Sequence, residues 1–251
     1  MNLKSWKPIA VIAALLLVVA GAGVWWFLGG DPVDEVSLDA ATGSVETTVA
    51  DTTDDAGSDS ADTTADTDLS GVWNVDTTTG EFDYESATGS FVGFRIEEEL
   101  AGIGSTTAVG RTGDIEGSIT VDGTSVTEAS FDIDVTTITT EESRRDDNVQ
   151  DALETGEFPS ATFELTEPIE LTDEALAGDA FAAPAVGDLT IHGTTQSIEM
   201  DLEAQLVDGT IVIVGSTDII FSDYGVEVPE SQIVVSVEDF GTLELQLLLV
   251  R

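Results

Sequence analysis

The reactive side chains of this chain limit the chemistry it can perform. It has one histidine, His192, and no cysteine among its 251 residues. The lack of cysteine excludes a disulfide framework, a zinc–thiolate site and a catalytic thiol. A catalytic histidine needs a nucleophile and an orienting carboxylate, and the sequence has no G-x-S-x-G nucleophile elbow. Because Gly193 follows it, we interpret His192 as part of a turn between two strands.

Carboxylates are abundant, but their pattern does not predict catalysis or metal binding. The chain has 50 Asp+Glu against 7 Lys+Arg, a net charge of −43. Catalytic carboxyl pairs need opposed environments, whereas these residues mostly alternate onto the wet face of predicted strands. Residues 51–55 lack the glycine and terminal glutamate of a calcium-binding EF-hand loop. We therefore predict no enzyme and no resident metal or cofactor, and the charge excludes a nucleic-acid partner.

Three polar side chains are candidates to contact a ligand. Arg144 and Arg145 are adjacent, and a guanidinium offers several directed donors to a head group. The alternative is that both arginines pair with neighbouring carboxylates. Tyr224, in Asp223-Tyr224-Gly225, would either hydrogen-bond a head group or stabilise a turn.

The chain begins with an apolar segment, residues 1–30. It is uncharged from Ile9 to Leu28, which is long enough for a helix to cross about 30 Å of hydrocarbon. Lys4 and Lys7 precede this run, which predicts a cytoplasmic N-terminus and an extracytoplasmic remainder. We prefer an uncleaved single-pass anchor. The alternative is a signal peptide cleaved near Ala20-Gly21-Ala22, which would release a secreted protein.

Residues 31–70 have a different composition. They contain 12 acidic residues, no basic residue and no aromatic residue. Such a sequence buries too little apolar surface to offset its ordering entropy. We predict a disordered, extended acidic linker.

Residues 71–251 are predicted to form one all-β domain. In Thr127–Val135, Ile198–Leu206 and Thr242–Val250, apolar and polar residues alternate with period two, as in strands with one dry and one wet face. Seven or more such strands favour a single antiparallel barrel or sandwich. The one helical candidate is Glu141–Thr155, a short connection over an end of the barrel. The further strand candidates are Phe91–Ile96, Ala161–Leu165, Leu189–Ile191, Ile211–Val214, Thr217–Phe221 and Ile233–Val237.

Four motifs in this domain resemble those of one family. They are GVWNVD (71–76) with GSFVGFRI (89–96), RRDDNVQDALETGEFPSATF (144–163), GDLTIHGTTQSIEMDL (187–202) and FSDYGVE (221–227). Together they resemble the YceI-like, polyisoprenoid-binding, lipocalin-like family. The resemblance implies an eight-stranded antiparallel barrel whose apolar lumen holds an isoprenoid, an isoprenoid quinone or a similar amphiphile.

The predicted ligand contacts are the apolar members of the alternating strands and the three polar candidates. For each apolar residue the alternative is a place in a filled core that binds nothing. The full set is Phe91, Phe94, Phe131, Ile133, Val135, Phe163, Leu165, Leu189, Ile191, Met200, Leu202, Phe221, Tyr224, Arg144 and Arg145.

Two functions follow from these predictions. The first is a membrane-tethered binding protein for a lipid-like molecule in the cell envelope. The second is a non-catalytic envelope interaction module whose filled barrel presents an acidic docking surface.

Overall fold

A computed structural model describes residues 33–52, 68–82, 84, 87–100, 104–227, 234–237 and 239–251. The predicted anchor (1–30) and residues 31–32 and 53–67 of the predicted linker lie outside these residues. In the described ranges no helix is long and apolar enough to span a membrane. Val33–Arg251 form one compact unit that contains the described strand pairings, so we expect this unit to fold without the residues before it.

The described residues contain twelve β-strands joined in one antiparallel sheet. Their bounds are β1 (Gly71–Val75), β2 (Phe91–Leu100), β3 (Gly104–Thr112), β4 (Ile115–Asp122), β5 (Ser125–Asp134), β6 (Ser160–Leu165), β7 (Ile169–Glu170), β8 (Phe181–Ile191), β9 (Thr194–Val207), β10 (Thr210–Ile220), β11 (Val234–Val237) and β12 (Phe240–Val250).

Eight strands close into a barrel, which confirms the predicted fold. The order is β1-β4-β5-β6-β8-β9-β10-β12, and β12 returns to β1. We name the two ends of the barrel after their tight turns. The His192 end carries the β8–β9 turn at His192-Gly193, and the Asp208 end carries the β9–β10 turn at Asp208-Gly209. All four of these turn residues have positive φ, as a two-residue hairpin turn requires.

β12 has two neighbours along one edge. Near the Asp208 end it pairs with β1, as in Val75↔Leu249. Toward the His192 end it pairs instead with β2, from Gln246↔Phe91 to Thr242↔Arg95. β3 follows β2, and its Arg111 bridges to Thr139 just after β5. β2 and β3 therefore take, at the His192 end, the places that β1 and β4 hold at the Asp208 end.

Three helices accompany the sheet in the described residues: α1 (Leu38–Thr52), α2 (Ser143–Ala152) and α3 (Asp173–Leu176). Two 3₁₀ turns, Val135–Thr137 and Phe221–Tyr224, follow β5 and β10. α2 confirms the predicted connecting helix, with bounds inside those expected.

The prediction of a disordered linker is wrong for its first half, because α1 packs against the outside of the barrel. Leu38, Ala41 and Val45 form one buried stripe with helical spacing. They cover the outward-facing Val212, Val214 and Leu248. A stripe of three small or medium apolar residues does not stand out in a mean composition dominated by Asp and Thr.

An ion-pair network lies beside α1, also on the outer face. Glu244 on β12 accepts from Arg95 Nε at 2.7 Å and from Arg111 Nε at 2.8 Å. The side chains of Glu244 and Arg111 are 1% and 4% exposed. The two guanidiniums also donate to the backbone carbonyls of Val33 and Asp34. The N-terminal segment thus covers two arginines before α1 begins.

Candidate functional site

The interior of the barrel is apolar. Val135, Ile133, Ile213 and Leu247 belong to one buried cluster, and large side chains from neighbouring strands pack against it. Of the predicted lining residues, this cluster or its margin contains Phe94, Phe131, Ile133, Val135, Leu165, Ile191 and Leu202. Met200 is buried on the same face of β9 as Leu202. The period-two alternation therefore placed these side chains on the correct face.

Several inward-facing side chains are only partly covered. Phe94, Phe131, Phe163 and Leu202 come from four different strands, and each remains part-exposed although its strand is internal to the sheet. A well-packed core covers such side chains fully. Solvent therefore reaches part of each of these inward-facing side chains.

Glycines let these side chains lie against the wall. A Cβ added at Gly110 would meet the Phe94 ring at 2.6 Å, and one at Gly187 would meet the Phe163 ring at 2.3 Å. Gly215 has the same relation to Leu202, at 2.4 Å. Any larger residue at these positions would push the facing side chain toward the axis. The glycines thus allow these side chains to lie close to the wall.

Gly187→Ala tests this arrangement. The new methyl group would overlap the Phe163 ring and the Glu164 carbonyl oxygen, 2.6 Å away. We expect the free energy of unfolding to fall by about 1–3 kcal/mol through overpacking. The matched control is Gly156→Ala, where a Cβ meets nothing within 4 Å. Urea denaturation measures both, and equal midpoints would contradict the wall contact.

Tyr224 lies inside the His192 end. The 3₁₀ turn Phe221–Tyr224, ended by Gly225 in the left-handed conformation, places its ring among Leu189, Ile219 and Val226. Tyr224 is 2% exposed, and its hydroxyl has no hydrogen-bond partner among the described residues. Burial, reinforced by the charge of Asp223, raises the pKa of Tyr224 to about 12, so the phenol stays neutral at physiological pH.

Phe163 and Phe221, both predicted to line the lumen, pack against the same Tyr224 cluster. So do Ala152 and Leu153 from the end of α2. Leu153 and Ile191 also pack against the larger cluster, so apolar contacts run continuously from this end into the barrel.

His192 connects the segments around Tyr224. Its Nε2 lies 3.0 Å from Glu154 Oε2, and its Nδ1 lies 3.3 Å from the backbone carbonyl oxygen of Tyr224. Its ring meets the Phe158 ring edge-on, with centroids 4.6 Å apart. Both nitrogens therefore face protein acceptors, and the interpretation of His192 as a structural turn residue is confirmed.

The prediction that Phe91 lines the lumen is wrong. Phe91 and Phe94 are three residues apart on β2, so a regular strand directs them to opposite faces. Phe94 pairs with the inward Leu243 and Phe91 with the outward Gln246. Phe91 is buried on the outer face, where the Arg111 guanidinium lies 4.4 Å from its ring centroid.

The structure favours ion pairing for Arg145. Its guanidinium contacts Glu141 at 2.6 Å and Glu98 at 3.1 Å. Burial opposes the charge, but hydrogen bonds and attraction from these two carboxylates raise the pKa of Arg145 above its usual value. Arg144 is exposed near the start of α2. Neither arginine joins the cluster around Tyr224.

A separate cavity of about 510 Å³ lies on the outer surface. It runs between Val36–Ser37 and the outward side chains of β8, β9 and β10, including Asp201 and Glu203. Its position outside the wall distinguishes it from the predicted lumen. In the described residues no group of three His, Cys, Asp or Glu side chains is placed to hold a metal ion.

A family model for the YceI-like domain matches residues 36–249. The chain belongs to the YceI-like family. The match begins just before α1, so the helix that the sequence analysis assigned to the linker is part of the YceI-like domain.

Solved structures share this YceI-like fold at low sequence identity. A polyisoprenoid binding domain from Saccharophagus degradans aligns with a TM-score of 0.53 and 18% identity, over 71% of this chain and 97% of its own. BcnA from Burkholderia cenocepacia gives the same score and identity, over 69% of this chain and 98% of its own. No curated protein sequence matches the chain.

Proposed function

We propose that this YceI-like chain binds an isoprenoid or another lipid-like amphiphile in the lumen of its barrel. The observation that carries the proposal is the set of large, part-covered apolar side chains facing the interior. The described relative from Saccharophagus degradans is a polyisoprenoid binding domain, which supports the same ligand class here. Burial of an apolar chain contributes about 25 cal/mol per Å² removed from water, less the cost of association.

A fluorescence titration tests the proposal. Trp73 is the only tryptophan in residues 33–251, and its ring belongs to the interior cluster. We expect a short-chain isoprenoid quinone to quench Trp73 fluorescence in purified, delipidated residues 33–251, with saturation at one ligand per barrel. Native mass spectrometry should show the same stoichiometry. Linear quenching without saturation, and no bound species by mass, would refute lumen binding.

A matched pair of variants locates the site. Leu202 faces the interior, and its neighbour Glu203 is exposed on the outside. We expect Leu202→Gln to weaken quinone binding about tenfold, because a polar amide replaces an apolar contact, and Glu203→Gln to leave it unchanged. Thermal unfolding of both variants checks that each is folded at the temperature of the titration.

We also propose that residues 1–30 tether the barrel to the outer side of a membrane. The uncharged run from Ile9 to Leu28 and the preceding lysines support this location. We expect the full chain to sediment with membranes through an alkaline wash, and a chain lacking residues 1–30 to stay in the supernatant. N-terminal sequencing of the membrane-bound protein separates an intact anchor from a cleaved signal peptide.

A further inference from the structure

The His192 end of the barrel provides a hydrogen-bond donor that the protein itself does not use. The Tyr224 hydroxyl is buried, and no described residue accepts from it. A buried donor without an acceptor has lost its bonds to water and gained none in return. A ligand oxygen within reach would satisfy it. Phe221, which is part-covered, packs against the same cluster.

Three of the positive charges in residues 33–251 contact groups outside the Tyr224 cluster. That unit contains five arginines and no lysine. Arg95 and Arg111 are on the outer face, bound to Glu244. Arg251 lies over the Trp73 ring, at 4.6 Å, and donates to the Asp68 carbonyl.

The remaining two arginines are at the start of α2. Arg145 is paired with Glu98 and Glu141. Arg144 lies one position earlier, and about eight helical residues, or roughly 12 Å, separate it from the end of α2 that packs near Tyr224. Glu141, Glu142, Asp146 and Asp147 surround these arginines in sequence and leave the segment net negative.

The charges nearest Tyr224 would repel an anion. The C-terminal end of α2, which carries partial negative charge, packs against the cluster through Ala152 and Leu153. Glu154 follows directly and pairs with His192, and Asp223 precedes Tyr224 in the chain. The imidazole of His192 has both nitrogens engaged with protein acceptors. Among the described residues, no arginine belongs to the cluster around Tyr224, so no guanidinium is placed there to hold a phosphate.

We propose that the lumen selects isoprenoids with an uncharged, oxygen-bearing head group, which accepts a hydrogen bond from Tyr224, over prenyl phosphates and diphosphates. This inference rests on the proposed function and assigns its ligand class. The tyrosine supplies the attractive contact. The surrounding carboxylates and helix end supply the selection against anions, since placing like charges together is costly.

The test compares two probes with the same hydrocarbon chain, geranylgeraniol and geranylgeranyl diphosphate, titrated into delipidated residues 33–251. We expect the alcohol to bind at least about tenfold more tightly. Equal affinities, or tighter binding of the diphosphate, would refute the proposed selection for uncharged head groups. The proposal that the barrel binds isoprenoids would still stand. If neither probe binds, both the proposed function and this inference fail.

Tyr224→Phe removes the hydroxyl and keeps the ring, so it tests the hydrogen-bond donor alone. We expect the variant to bind geranylgeraniol about three- to tenfold more weakly, because one hydrogen bond is lost. A prenyl hydrocarbon without oxygen should bind the variant and the original chain equally. The unliganded variant should unfold at the same or a higher urea concentration, since the unsatisfied hydroxyl is gone. Unchanged affinity for the alcohol would overturn the role of Tyr224.

Discussion

Glu244→Gln is expected to lower the free energy of unfolding by about 3–5 kcal/mol, the largest effect of any single change considered. Glu244 is 1% exposed and accepts from two guanidiniums, Arg95 and Arg111. Removing its charge leaves two cations on the buried outer face without the one carboxylate that they contact in the described residues. An amide is nearly the same size as a carboxylate, so loss of packing does not explain the effect.

Urea denaturation followed by far-ultraviolet circular dichroism measures this loss. The control is Glu199→Gln, which makes the same chemical change at an exposed position on β9. We expect the control to change stability by less than about 0.5 kcal/mol. If the two variants unfold at the same urea concentration, the network does not stabilise the barrel.

Ala41→Asp is expected to detach α1 and to lower the free energy of unfolding by about 2–4 kcal/mol. Ala41 is 1% exposed and lies between Leu38 and Val45 in the stripe that covers the barrel. A carboxylate cannot remain there without a partner, so the helix must leave the surface and expose Val212 and Leu248.

The neighbouring residue supplies the control. Ala40 is exposed in the same helix turn, so Ala40→Asp makes the same change in charge and helix propensity without burial. Hydrogen exchange separates the two: amides of α1 should lose protection in Ala41→Asp and keep it in Ala40→Asp. Equal protection in both variants would show that α1 does not depend on this contact.

The barrel could be predicted from the sequence because apolar and polar residues alternate along several of its strands. β5, β9 and β12 present Ile133, Leu202 and Leu247 to the interior as the period-two pattern predicts. The alternation did not predict β3 and β4, because glycine, serine and threonine occupy many of the positions where an apolar residue would be expected. Pairing with neighbouring strands, rather than their own pattern, identifies them.

The outer layer could not be predicted from the assumption of one wet face. Ile211–Val214 and Leu247–Leu249 are continuous apolar runs, which is the signature of strands covered on both faces. These runs, together with the spacing of Leu38, Ala41 and Val45, were the available signal for α1. The pairing of Glu244 with Arg95 and Arg111 joins residues more than 130 positions apart and has no local signal.

The site was predicted in part. Phe131, Phe163 and Met200 follow from alternation, while the burial of the Tyr224 hydroxyl depends on how a 3₁₀ turn folds back into the barrel end. That fold-back is set by contacts with Leu189 and Val226, which no local sequence pattern encodes.

The exchange of strands along the edge of β12 divides one side of the wall into two halves. β1 and β4 form this side at the Asp208 end, and β2 and β3 continue it toward the His192 end. Substitutions in β2 or β3 should therefore act on the His192 end, and substitutions in β1 or β4 on the end that holds Trp73.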